Sequence, residues 1–334
     1  MCQPVHVTFV PLIDISALES EAGAASVGAK IDAACRDTGF FVIVGHGVDP
    51  ALFESLDAAS RQFFALPEAV KARIAMSIGG RAWRGWFPLG GEVTSGVPDR
   101  KEGLYLGEDL AESDPRVQAG TPLHGRNLFP AEVPELGPVV LAWIEALTTL
   151  GHRLMAAIAV GLGLPSGWFR ANLTADPTVL FRIFRYPDTD EVTLAGAGEW
   201  GVAEHTDYGL LTMLAQDDCG GLQVHGTQGW IDVEPVANSF VCNIGDMLER
   251  MTGGRYRSTP HRVRNTSGRD RLSYPFFFDP SWHARIDPLP LADAAAGEAP
   301  ARWDGRSVFD FDGTYGEYLV AKVSKVFPEL VHVI

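Results

Sequence analysis

Glu204-His205-Thr206-Asp207-Tyr208-Gly209-Leu210-Leu211-Thr212-Met213-Leu214 decides how the chain is read, together with Thr259-Pro260-His261-Arg262-Val263 further along. The first stretch sets a histidine and an aspartate two positions apart at the head of an apolar run. In an extended strand alternate side chains share a face, so His205 and Asp207 are expected to project together while Glu204 and Thr206 point away. The second stretch supplies another imidazole, and a neighbouring strand would bring His261 to the same side of a cation. Such a trio leaves the opposite coordination positions open, as catalysis requires; a structural zinc site closes all its positions, commonly with cysteine. Alone, His-x-Asp is weak, because most histidines beside acids are satisfied surface or core residues. Its neighbours give it weight.

Beyond His261 the chain runs Arg271-Leu272-Ser273-Tyr274-Pro275-Phe276-Phe277-Phe278. An arginine entering so apolar a strand is expected to be buried and paired. With Ser273 on the same strand face, its planar five-donor fork suits a bidentate grip on a carboxylate. Two imidazoles and a carboxylate also match the facial triad of non-haem Fe(II) sites.

Four segments carry a family likeness: His205-Thr206-Asp207, Asn243-Ile244-Gly245-Asp246-Met247-Leu248, Arg257-Ser258-Thr259-Pro260-His261-Arg262-Val263 and Arg271-Leu272-Ser273. On them the chain resembles the Fe(II)- and 2-oxoglutarate-dependent dioxygenases of the isopenicillin N synthase-like superfamily, over most of its length. The resemblance implies that His205, Asp207 and His261 hold a catalytic iron. It also implies that Arg271 and Ser273 bind the distal carboxylate of 2-oxoglutarate, helped by Tyr186 of Arg185-Tyr186-Pro187. Plant members usually carry Asn two residues before that tyrosine, where this chain has Phe184. The implied reaction consumes O2 and decarboxylates 2-oxoglutarate to succinate and CO2 while hydroxylating, desaturating or cyclising a small organic metabolite. Two rivals stand beside it. One is a 2-oxoglutarate-independent non-haem iron oxidase resembling isopenicillin N synthase or aminocyclopropane-carboxylate oxidase, which share the Arg-x-Ser pair. The other is a non-catalytic, metal-stabilised binding protein of the same fold. Composition and loop position alone nominate Arg84, Trp86, Tyr105 and Phe278 as substrate contacts.

The chain has 334 residues, 46% of them apolar, enough for a large core. A formal charge of −15 argues against nucleic acid or anionic lipid as partner, since both recruit Lys/Arg patches. A small-molecule partner is expected, and nothing in the chain speaks to oligomeric state. Four scattered cysteines without a C-x-x-C pair suggest neither a disulfide framework nor a zinc knuckle. With no leader pattern and no membrane-length apolar run, the expected compartment is the cytoplasm.

Apolar spacing predicts helices from about Ala22 to Arg36 and from Val139 to Gly163, a helix or pair of helices punctuated by Pro67 from Pro50 to Ile74, and a final one from Tyr315 to Phe327 over the pocket. Arg- and Trp-rich Ile78–Gly107 is expected to wall or cover the substrate pocket, and Leu289–Pro300 to be a surface excursion. After Thr178 come short strands with Gly, Pro and Asp turns, including one from Ala203 to Gln216. They predict a mainly β fold, a double-stranded β-helix (jelly roll, cupin-like) with helices packed on one sheet. Residues 1–334 are read as one domain: a helix-rich region 1–177, the jelly-roll core 178–280 and a C-terminal segment 281–334.

Overall fold

The computed structural model of the chain describes residues 9–94, 96–188, 200–226, 228–291, 305 and 307–326. An eight-stranded sheet runs, in spatial order, β1 (Leu12–Asp14), β2 (Phe40–Val44), β12 (Phe240–Ile244), β9 (Leu211–Gln216), β14 (Arg271–Asp279), β7 (Thr178–Tyr186), β6 (Glu102–Gly107) and β3 (Gly85–Phe87). Facing it is a four-stranded sheet in the order β11 (Gly229–Val233), β10 (Leu222–Gly226), β13 (His261–Val263), β8 (Val202–His205). A hairpin of β4 (Val93–Thr94) and β5 (Val97–Pro98) stands apart from both. Neighbouring strands pair antiparallel except β1 with β2, and the whole is the expected jelly roll.

The large sheet is buried on both faces, and strand parity sorts its side chains. On β7 and β14 one set of alternate residues packs on the helix Leu136–Gly161; the other faces the space between the sheets. Gly151 lets that helix approach closely, since a Cβ there would lie 2.5 Å from the ring of Phe278. The helices Glu21–Asp37 and Pro50–Phe64 pack against the same long helix, each with a side-chain N-cap, Ser20 for Gly23 N and Asp49 for Ala51 N.

The helix or pair of helices expected over Pro50–Ile74 is a pair: the first ends at Phe64, and after Pro67 a short helix Glu68–Lys71 and a 3₁₀ turn follow. Another expected element is divided. The strand predicted over Ala203–Gln216 breaks after His205, because the chain leaves the small sheet there and joins the large one at Leu211. The intervening loop is fixed by Asp246 N donating to Asp207 O (2.8 Å) and by Gly209, where a Cβ would collide with the Asp279 carboxylate. Residues 292–300 of the expected surface excursion and Phe327 lie outside the described residues. No helix among the described residues is long and apolar enough to cross a membrane.

Candidate active site

His205 closes β8, His261 opens β13, and the two are direct cross-strand partners with ring centroids 4.2 Å apart. Asp207 comes from the loop that follows β8. It therefore reaches the histidines by a turn of the chain, not by the same-strand alternation expected. Its Oδ1 lies 3.9 Å from His205 Nε2 and 3.7 Å from His261 Nε2. The three residues offer ligand atoms within 4.8 Å of one another.

The groups behind the trio prepare it. His205 Nδ1 lies 2.8 Å from Ala203 O and His261 Nδ1 3.3 Å from Thr259 O. Protons assigned to Nδ1 satisfy those carbonyls and leave each Nε2 lone pair free toward Asp207. Asp207 Oδ2 accepts from Thr212 Oγ1 (2.5 Å) and Asn243 Nδ2 (2.7 Å), leaving Oδ1 available. Burial works against ionisation of Asp207, but His261, His205 and the two hydrogen bonds prevail and hold its pKa below the usual carboxylate value. Burial first, then the neighbouring His205, holds His261 below the ordinary histidine range. Neutral imidazole is the ligating form, so two nitrogens and one anionic oxygen suit a divalent iron.

Across the cavity, Arg271 is fully buried and opposite Tyr186 in the β14–β7 register. Its Nε donates to Gly220 O (2.6 Å) and its Nη2 to Gln216 Oε1 (2.9 Å), while Nη1 has no partner among the described residues. The expected pairing is, among those residues, to neutral groups only. A buried cation without a counter-ion is costly by several kcal/mol, so the arrangement suits an anion entering the cavity, and the residues present fit a carboxylate such as that of 2-oxoglutarate. Ser273 Oγ donates to Tyr186 OH at 3.3 Å, and the guanidinium carbon stands 4.9 Å from the Tyr186 ring. Phe184, opposite Ser273, also lines the space, with Lys101 Nζ 4.9 Å over its ring.

The cavity measures about 610 Å³, within the usual range for a small-molecule site. Of the four nominated substrate contacts, Tyr105 lines it; Arg84, Trp86 and Phe278 do not. Phe278 has the opposite parity from Arg271 on β14 and packs against the long helix, so Phe277 takes the cavity side. Trp86 is buried with Nε1 donating to Glu102 Oε2 (2.8 Å), and buried Arg84 donates to Leu123 O (2.8 Å). The aromatic part of Ile78–Gly107 is therefore core, while Glu92, Val93, Thr94 and Gly96 supply the wall. Lys101 latches this wall from within, paired with Asp99 and, at 2.8 Å, with Glu92. The helix Tyr315–Val326 closes the far side as expected: Tyr315, Leu319 and Val323 line the cavity, and Tyr315 OH donates to Asp279 Oδ2 (2.5 Å). Sequence reading passed over Thr212, Asn243 and Arg182. Asn243 stood in a quoted segment, and Arg182 shares strand parity with Tyr186; Thr212 gave no signal, because its role depends on the chain changing sheets.

Comparison with known proteins agrees with this geometry. The family described as non-haem dioxygenase in morphine synthesis N-terminal matches residues 10–132, and the 2OG-Fe(II) oxygenase superfamily matches residues 177–280. A probable iron/ascorbate oxidoreductase of Dictyostelium discoideum is 45% identical over 96% of this chain and 95% of its own length. A 1-aminocyclopropane-1-carboxylate oxidase of Dictyostelium mucoroides is 37% identical over 98% of each. A full-length Neurospora crassa protein, crystallised in complex with alpha-KG and thymine, superposes with a TM-score of 0.77 at 27% identity, over 95% of this chain and 96% of that one. The open triad, the buried arginine and these matches converge: the chain belongs to the 2OG-Fe(II) oxygenase superfamily and is a non-haem Fe(II)- and 2-oxoglutarate-dependent dioxygenase.

Proposed function

We propose that His205, Asp207 and His261 hold the iron, and that Arg271, Ser273 and Tyr186 grip the distal carboxylate of 2-oxoglutarate. The observation that carries this reading is Arg271, buried at 0% exposure and, among the described residues, with only neutral partners, on the wall across from a preorganised trio. Bound Fe(II) with 2-oxoglutarate supplies the oxidation, in which one O2 yields succinate, CO2 and an oxidised small molecule. The chain's own part is to orient and enclose. Asn243 and Thr212 hold Asp207 in one rotamer, the backbone carbonyls of Ala203 and Thr259 hold the imidazoles, and the hairpin and the C-terminal helix limit access of water.

The test measures succinate and CO2 against oxygen uptake by the purified, Fe(II)-loaded protein. One succinate per O2 consumed is expected. Oxygen uptake without decarboxylation would instead favour a 2-oxoglutarate-independent oxidase, the reading that the 37% identity to a 1-aminocyclopropane-1-carboxylate oxidase supports. The cavity draws on Tyr105, on the core strands and on Tyr315. This supports reading residues 1–334 as one domain, and separate melting transitions would contradict it. The free thiols of Cys35, Cys219 and Cys242 support the reducing cytoplasm as compartment; recovery of the protein from a secreted fraction would oppose that.

A further inference from the structure

The cavity holds a second buried guanidinium that, like Arg271, makes no ion pair among the described residues. Arg182 lies on β7 with the parity of Phe184 and Tyr186, four residues from the latter, which along a strand is about 13 Å. It is 6% exposed and lines the cavity. Nη1 donates to Leu106 O (3.3 Å) and Phe181 O (3.1 Å), and the guanidinium carbon stands 3.6 Å from the centre of the Tyr105 ring, its cross-strand partner. Tyr105 adds a side-chain hydrogen bond. Among the described residues no carboxylate makes an ion pair with Arg182; Glu92 and Asp279 act on it only through space. Both acids are committed elsewhere, Glu92 to Lys101 and the Tyr105 hydroxyl, Asp279 to the Tyr315 hydroxyl and Leu210 N.

A purely structural role for Arg182 is stacking on Tyr105. Such a cation–π contact contributes less than the desolvation of a buried guanidinium demands. The balance is restored by an anion arriving from the cavity, and Arg271 already accounts for the cosubstrate's distal carboxylate. We propose that Arg182 receives the carboxylate of the primary substrate, so that the enzyme oxidises small carboxylic acids. This rests on the 2-oxoglutarate reading above. The two charges bracket one continuous floor, with the cosubstrate anchored at Arg271 and the substrate at Arg182. Tyr105 keeps the guanidinium plane in place from β6.

The test offers the Fe(II)-loaded full-length protein a panel of amino acids and short cyclic and aryl carboxylic acids, each beside its primary amide. Substrate-stimulated succinate release and the shift in melting temperature are read together. Acids, not amides, are expected to stimulate succinate release and raise the melting temperature. Arg182→Gln should raise the KM of a responding acid by about 10- to 100-fold, with Arg182→Lys in between. Calorimetry of 2-oxoglutarate binding reads the Arg271 end separately. Amides acting as well as their acids, no response of the wild type to any acid, or an unchanged acid KM in Arg182→Gln would each overturn the proposal. So would loss of 2-oxoglutarate binding in Arg182→Gln, which would move the cosubstrate to this end. The acid/amide comparison in the wild type stands even if Arg182→Gln fails to fold. A wild type that binds no 2-oxoglutarate and releases no succinate defeats the underlying cosubstrate reading instead.

Discussion

The two ends of the cavity are built differently. Around the trio and around Arg271 every functional group sits on a paired strand or beside one: Arg271 faces Tyr186, Ser273 faces Phe184, and His205 faces His261. At the Arg182 end the floor is again sheet, but the walls are a two-residue-per-strand hairpin and a terminal helix. Those walls are held by buried polar latches, Lys101 with Glu92 and Asp99, Tyr315 with Asp279, and Tyr318 OH with Asp246 Oδ2 (3.1 Å). Sheet pairing fixes side chains within a narrow geometry, as metal and cosubstrate chemistry demands. A wall held by a few latches can be rebuilt without disturbing that chemistry, which is why substrate choice is proposed to belong to the latched end.

The sharpest test of this contrast is removal of a ligand at the paired end. His261→Ala and Asp207→Ala are each expected to abolish succinate formation and to lower iron content, measured as metal per chain. Full iron and normal turnover in either would break the assignment of the trio. Next is Arg271→Ala, expected to raise the 2-oxoglutarate requirement by roughly 30- to 1000-fold, the scale for removing one partner of a buried charged contact. An unchanged KM for 2-oxoglutarate would place the cosubstrate elsewhere. Asn243→Ala removes the donor behind Asp207 without touching the metal, and a roughly 10- to 100-fold loss of iron affinity is expected by competitive chelation.

At the latched end the effects are smaller. Burial pushes the Asp279 carboxyl up to about 7, with the Tyr315 and Leu210 hydrogen bonds opposing it, from an ordinary value of 3.8. Between those values the folded state binds more protons than the unfolded state, so this group's contribution to stability falls as pH rises through that window. Asp279→Asn carries no such charge. Its melting temperature relative to the wild type should climb from pH 4 to pH 7 and then level off; a constant difference would contradict the buried-acid assignment. Smallest is Phe278→Leu, expected to cost about 1 kcal/mol in denaturant unfolding while leaving the substrate KM unmoved, because that ring faces the long helix. A changed KM would show the parity of β14 to be wrong.

Parity is also where reading the chain stopped short. Phe278 lies seven positions after Arg271, so the alternation that unites Arg271 with Ser273 excludes Phe278 from the same face, whatever its composition and loop position suggest. Arg84 and Trp86 erred for another reason. A Gly-rich stretch dense in Arg and Trp looks like loop, yet Trp83, Arg84 and Trp86 are buried, and which aromatic segment becomes core depends on what covers it. The separation of His205 from Leu211 onto two sheets was likewise not legible, because a run of apolar residues looks the same whether or not its strand changes partners.

Local chemistry written in the order of residues was enough to determine the class of fold and to nominate the ligand types and the cosubstrate anchor, since the donor properties of His, Asp, Arg and Ser hold wherever those residues lie. Only the folded chain decided that His205 and His261 pair across strands, that Asp207 reaches them from a loop, and that Arg182 shares the floor with Arg271 and makes no ion pair among the described residues. Those facts are distances between residues remote in sequence, and such distances are set by which strands pair and which faces pack.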